Sequence, residues 1–219
     1  MGNTISETDV KYQYYSRNLP HLFDIDKPVF ITYRLKFTLP SSVMHELNRR
    51  KTEWFKEMQD LNEETKTQKT KHKDAVFFNW FDELITSSPE TPQLLLRKDI
   101  TDIISSAFRY HNDQRYKLLA YCIMPNHVHV LILPLRQASG EIFPLARITY
   151  TWKRYTTNQI NALLGKNGSL WQQESYDHLV EDEIGLARIM EYILENPVKA
   201  GLVDNWKEWY GTWVREELM

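Results

Sequence analysis

Alternating and helical spacings of apolar residues divide the chain into strand and helix signals. Val29–Phe37 (VFITYRLKF) is rich in β-branched and aromatic residues, alternates from Thr32 onward and stops at Leu39-Pro40, which predicts a first strand. Ser41-Ser42 then offer a cap, and Met44, Leu47, Trp54, Phe55, Met58 and Leu61 recur at helical spacing on a charged background, predicting an amphipathic helix to about Leu61. Asn62–Asp74 holds Lys66, Lys69, Lys71 and Lys73 with few apolar residues and reads as a solvated linker, with DNA contact as the alternative. Ala75–Leu84 restarts an apolar pattern and Ser87-Ser88-Pro89 breaks it. Leu94–Phe108 predicts a second long helix that faces a core with Leu95, Ile100, Ile103, Ile104 and Phe108.

Tyr116–Met124 and Val128–Leu133 are the strongest strand signals, and Pro125-Asn126 between them predicts an antiparallel hairpin at the centre of a sheet. Leu145–Leu164 reads as a helix. Glu183–Glu195 reads as another, bounded by the Asn196-Pro197 step because a residue before proline is pushed out of helical geometry. Residues 1–26 show no clear periodicity and are expected to be irregular. The predicted domain spans residues 27–204, with a charged helical insertion at about 41–74 and a tail at 205–219. This order predicts an α+β domain with helices packed on a mostly antiparallel sheet.

Composition narrows the function classes. The 219 residues, 42% apolar and 26% charged, suit one domain or one with an insertion. A balance of 27 Lys+Arg against 29 Asp+Glu, net −2, excludes a uniformly basic nucleic-acid binder but leaves room for a locally basic groove. One such segment is Phe143–Gln173, where Arg147, Lys153, Arg154 and Lys166 stand without any Asp or Glu. Cys122 alone can form neither an intramolecular disulfide nor a Cys-rich zinc site, which favours a reducing, intracellular setting. The longest apolar stretch is far shorter than the roughly 18–20 residues of a spanning helix, and a soluble protein with no membrane partner is expected. The loose myristoylation and glycosylation templates at Met1–Ser6 and Asn167-Gly168-Ser169 carry no weight.

Two features carry candidate chemistry. His127-Val128-His129 lies on a predicted strand, where side chains alternate, so both imidazoles share one face and can hold one metal ion. Two polar residues on a solvated face is the alternative, but the flanking segments look buried, and buried imidazoles need partners. Tyr192 and Asn196, four residues apart, are neighbours on one helix face. Arg188, Tyr192 and Asn196 form a stripe separate from the apolar Leu186, Met190, Ile193 and Leu194, while a packed aromatic is the plainer reading of Tyr192. A metal held by neutral ligands keeps its charge and suits polarising a phosphate beside a tyrosine nucleophile. Phenol, with a pKa near 10, needs a Lewis-acid neighbour or a proton acceptor. Tyr176 and, after it, Tyr155 are the other tyrosines that could take the nucleophile's role.

Tyr121-Cys-Ile-Met-Pro-Asn-His127-Val-His129-Val-Leu resembles the histidine-hydrophobic-histidine strand of single-tyrosine HUH transposases. Tyr192-Ile-Leu-Glu-Asn196-Pro-Val-Lys-Ala-Gly201-Leu-Val resembles their nucleophile helix, especially in the branch of REP-associated tyrosine transposases of the IS200-like family. Trp171-Gln172 and Tyr176-Asp177-His178 fit that branch as well. The resemblance covers roughly Val29–Gly201 and is interrupted by the charged region after Pro40. It implies a ferredoxin-like sandwich with the His-x-His strand central in the sheet, Tyr192 as nucleophile, and His127, His129 and Asn196 as metal ligands. The implied activity is cleavage of single-stranded DNA beside a hairpin through a 5′-phosphotyrosine link, with rejoining by the reverse chemistry.

Imidazole ligands favour zinc and its neighbours, whereas the family's use of magnesium or manganese implies Mg2+ or Mn2+, manganese fitting the mixed ligands better. Phosphate contacts are expected at Arg147, Lys153, Arg154 and Lys166, with Trp152, Tyr155 and Trp171 as stacking faces. His178 is a further candidate for DNA contact or proton transfer, against a polar residue bonded to nearby backbone. Two other functions stay open: a host-adopted protein that binds DNA hairpins without strand transfer, and a metal-dependent phosphoesterase that uses water. The expected partner is single-stranded DNA with imperfect palindromes in the bacterial cytoplasm, and the sequence is compatible with a monomer or a homodimer.

Overall fold

The computed structural model describes residues 12–16, 20–24, 27–36, 45, 49, 93–173, 175–180 and 182–218. The chain forms two compact units, one of Met1–Lys36 with Gln93–Met219 and a second of Phe37–Pro92. The expected insertion at 41–74 and the apolar stretch Ala75–Leu84 fall in the second unit and lie outside the described residues, apart from His45 and Arg49, which are helical.

In the first unit, strands β1 (Tyr12–Ser16) and β2 (Pro20–Asp24) pair antiparallel as a separate two-stranded sheet. Residues 1–26, expected to be irregular, thus contain a hairpin whose strands lack the alternation that marks a half-buried sheet. The main sheet comprises β3 (Val29–Arg34), β4 (Tyr116–Ile123), β5 (His127–Pro134), β6 (Tyr176–Leu179) and β7 (Thr212–Val214). Their order is β6-β3-β5-β4-β7, and every neighbouring pair is antiparallel. Among the described residues of this unit the α-helices are α1 (Lys98–Tyr110), α2 (Leu145–Leu164) and α3 (Glu183–Lys199). From β3 to β6 the chain runs β-α-β-β-α-β, the ferredoxin-like arrangement, with β7 added at one edge. The expected α+β fold with the His-x-His strand at its centre is therefore present.

Pleating sorts the side chains between the sheet's two faces. Val29, Ile31 and Tyr33 of β3, with Val128, Val130 and Ile132 of β5, join Ile100, Ile104 and Phe108 of α1 and Ile148, Trp152 and Ile160 of α2 in the main core. A register shift between Leu118 and Ala120 puts one extra residue in β4. Because a bulge reverses alternation, Tyr116 and Leu118 before it and Tyr121 and Ile123 after it all reach that core. The opposite face, carrying Phe30, Thr32, His127, His129 and Cys122, is the one α3 covers.

Three further sequence expectations are corrected. The helix expected over Leu94–Phe108 is a short 3-10 turn, Leu94–Leu96, followed by α1 after the extended Arg97. The last helix does not stop before Pro197 but runs through it to Lys199. Asn196 and Pro197 are both buried, and the amides of Ala200 and Leu202 still bond the carbonyls of Asn196 and Pro197, so tertiary packing outweighs the local proline penalty. Residues 205–219 are not a tail outside the domain. They supply β7, Trp209 Nε1 donates to the Ile123 carbonyl at 2.9 Å, and Arg215 donates to the Leu118 carbonyl and Asn112 Oδ1. Among the described residues no helix is long and apolar enough to cross a membrane.

Candidate active site

The site grows from three neighbouring elements. In β5 the two-residue side-chain period aims His127 and His129 at the face away from the main core, and both are buried. Their Nε2 atoms lie 3.0 Å apart. The outer nitrogens are engaged as well: His129 Nδ1 lies 2.8 Å from Thr32 Oγ1, and His127 Nδ1 is hydrogen-bonded to Asn126 Oδ1. β3 supplies Thr32 because it pairs directly opposite His129, with Arg34 opposite His127. Burial lowers the Arg34 guanidinium to about 10, which leaves it cationic at neutral pH beside the histidines' strand.

Helix α3 brings the tyrosine. Its start is fixed by Asp182, whose carboxylate accepts from the Gly185 amide at 2.7 Å. The Tyr192 ring meets the His129 ring edge-on at 5.4 Å, and Phe30 completes the cluster, stacked on His129 at 5.6 Å and edge-on to Tyr192 at 5.9 Å. Lys199 places its ammonium 5.8 Å from the centre of the Tyr192 ring. Asn196 follows one helical turn after Tyr192 and is 4% exposed, so its amide is turned into the protein.

The donor set fits a divalent metal. Each imidazole has Nδ1 tied to an oxygen and Nε2 pointing to a common point, the usual arrangement of metal-binding histidines. A 3.0 Å separation also matches two neighbouring ligand atoms in an octahedral shell of about 2.1 Å radius. Among the described residues no group of three His, Cys, Asp or Glu side chains could hold a metal, so a third protein ligand would come from another residue type, such as the Asn196 amide.

The other candidates separate. Tyr155, which also has an amide four residues on in Gln159, is exposed on α2, and α2 packs on the opposite sheet face from His127 and His129. Tyr176 is buried on β6 opposite Thr32, about 10 Å from β5 at the usual strand spacing. His178, opposite Phe30, shares the site face but also sits on that outer strand. Arg147 and Arg154 are exposed on α2, and Lys166 follows its Gly165 cap. Lys153 instead ties a loop, its ammonium donating to the carbonyls of Gln172 and Gln173 at 3.1 Å.

Trp152 and Trp171, expected as stacking faces, are core residues. They are 1% and 3% exposed, and their indole N–H groups donate to Tyr116 Oη and Thr156 Oγ1. Sequence reasoning missed Phe30, Thr32, Asn126 and Lys199. Asn126 carries a turn signal, and the alternation of β3 puts Phe30 and Thr32 on one face, but neither pattern identifies the partner strand.

The fold and site together define a ferredoxin-like domain whose central strand carries a convergent histidine pair faced by a tyrosine-bearing helix. The chain is similar to a Haemophilus influenzae protein provisionally named a REP-associated tyrosine transposase, at 33% identity over 103 residues covering 43% of this chain and 56% of that protein. It is also similar to an uncharacterised protein of the same organism, at 31% identity over 94 residues, 36% of this chain and 52% of the other. The chain thus spans about half the length of the curated relatives it matches. Among solved structures, that of a REP-associated tyrosine transposase bound to a REP hairpin shares the fold, with a TM-score of 0.51, 14% identity, and coverage of 90% of this chain and 80% of that one. No protein-family model matches the chain.

Proposed function

We propose that this chain is a metal-dependent single-stranded DNA endonuclease and strand transferase that cuts beside DNA hairpins. The observation that carries the reading is the meeting of Tyr192 with His129, whose Nε2 converges with that of His127. Its likeness to a relative named as a transposase supports the same class of chemistry.

His127, His129 and Asn196 would hold Mg2+ or Mn2+, which when bound supplies positive charge to a phosphate oxygen at the scissile position. Tyr192 Oη attacks phosphorus, forming a phenolic O–P bond as the bond to the 3′ oxygen breaks. The phenol gives up its proton and the departing oxygen gains one, so a free 3′-hydroxyl and a 5′-phosphotyrosine result. A 3′-hydroxyl attacking that link reverses the step and rejoins DNA without water or ATP. Lys199 and Arg34 add positive charge around a reaction whose substrate is anionic. Such an enzyme would act on chromosomal DNA in the bacterial cytoplasm.

The test incubates the protein with labelled single strands carrying imperfect hairpins from around its own gene, with Mn2+ or Mg2+, beside Tyr192→Phe. A protein-linked DNA band on a denaturing gel that requires both metal and Tyr192 is expected. Cleavage that survives Tyr192→Phe without an adduct would replace this reading with water-driven hydrolysis, and tight hairpin binding without cleavage would replace it with a binding protein.

A further inference from the structure

Thr32, His129, His127 and Asn126 form one buried hydrogen-bonded row, joined Oγ1 to Nδ1 at 2.8 Å, Nε2 to Nε2 at 3.0 Å, and Nδ1 to Oδ1. A neutral imidazole has one N–H and one lone pair, and an amide oxygen only accepts. Asn126 Oδ1 therefore requires His127 to carry its proton on Nδ1 and its lone pair on Nε2. The Nε2 to Nε2 bond then requires His129 to donate from Nε2, so its Nδ1 accepts and the Thr32 hydroxyl donates. With both imidazoles neutral and no metal bound, the row runs in one direction, from Thr32 through both histidines to Asn126.

A metal ion needs a lone pair on both Nε2 atoms. His127 already presents one, but His129 does not until its proton moves from Nε2 to Nδ1, with no change in charge. Thr32 must then turn from donor to acceptor, which a hydroxyl can do by rotation and an amide oxygen cannot.

We infer that Asn126 and Thr32 are positioning residues with different tasks: Asn126 locks His127 in its metal-binding tautomer, and Thr32 is a reversible partner that lets His129 change tautomer as metal binds. This rests on the metal-binding part of the proposed function and concerns residues that never touch the ion.

The test measures Mn2+ binding to the full chain by calorimetry for wild type, Thr32→Val, Thr32→Ser and Asn126→Asp. Thr32→Val keeps shape but can neither donate nor accept, and is expected to weaken Mn2+ binding by about 10- to 100-fold. Thr32→Ser restores the hydroxyl and Asn126→Asp keeps an acceptor, so both are expected to stay within about threefold of wild type by the same reasoning. Long-range imidazole 15N–1H correlations give an independent readout. Metal-free protein is expected to show His127 protonated on Nδ1 and His129 on Nε2, and Zn2+, a diamagnetic probe, should move the His129 proton to Nδ1.

His129 already protonated on Nδ1 without metal, or Thr32→Val binding Mn2+ like wild type while folded, would overturn the inference and leave the proposed function standing. Wild type that binds no metal would overturn the metal reading itself, and with it this one.

Discussion

Phe30 gives the sharpest test of how the strand and the tyrosine helix are joined. It is 1% exposed and lies between two functional rings, stacked on His129 at 19° between planes and edge-on to Tyr192 at 84°. Phe30→Leu keeps an apolar side chain in place but removes both aromatic contacts, each worth about 0.5–1.5 kcal/mol beyond buried area, so a loss of about 1–3 kcal/mol is expected. Urea unfolding followed by tryptophan fluorescence reads that loss. Comparison with Tyr192→Leu and the double variant isolates the Phe30–Tyr192 pair, whose coupling is expected at about 0.5–1.5 kcal/mol. On the proposed activity, Tyr192 would lose one of its flanks. A displacement of about 1 Å can cost 10²-fold in rate, so nicking should fall by about tenfold or more while hairpin binding is unchanged. Phe30→Leu as stable as wild type, with zero coupling to Tyr192, would refute the claim that this ring holds the tyrosine in register with the histidines.

Burial pushes the Tyr116 hydroxyl up to about 12, so the native state keeps a proton that the unfolded chain releases near pH 10. Stability is full below pH 10 and falls by about 2–3 kcal/mol toward pH 12, which phenolate absorbance and unfolding at each pH can follow. Gly211→Ala would set a methyl 2.7 Å from the Ile123 carbonyl oxygen and 2.7 Å from Trp209 Nε1. Because that carbonyl belongs to β4, a loss of about 1–3 kcal/mol is expected, with faster hydrogen exchange at the Ile123 amide that bonds the Gly211 carbonyl. Arg147→Gln with Arg154→Gln should reduce the salt dependence of single-strand binding by about 0.7 per lost phosphate contact while leaving Mn2+ affinity unchanged.

The readable parts of the chain were those with a strong local period. Val128, Val130 and Ile132 alternate against His127 and His129, so both the strand and its two faces could be read directly, and α2 has the bounds its apolar spacing implies. The β4 bulge was hidden because Leu118, Leu119 and Ala120 are all apolar, and a run of that kind does not say which residue is extra. Pro197 misled for the opposite reason: its local rule is strong, but burial of the last turn of α3 overrides it. The tryptophans were ambiguous in principle, since an indole on a basic helix and one in a core have the same local sequence. Only the tertiary partners Tyr116 and Thr156 separate the two cases.

The same alternation divides the work of the sheet. Of each pair of consecutive residues in β5, one builds the core with α1 and α2 and the next faces α3 and the tyrosine, so the histidines are anchored by the very strand that stabilises the domain. The exposed arginines of α2 consequently lie on the far side of the sheet from Tyr192, separated from it by helix and sheet layers spaced about 10 Å apart. A nucleic acid held by Arg147 and Arg154 cannot present the same phosphate to Tyr192. Contacts on α2 would instead act on a different part of the molecule from the scissile strand, so losing them should weaken binding and leave the chemistry of bound DNA intact.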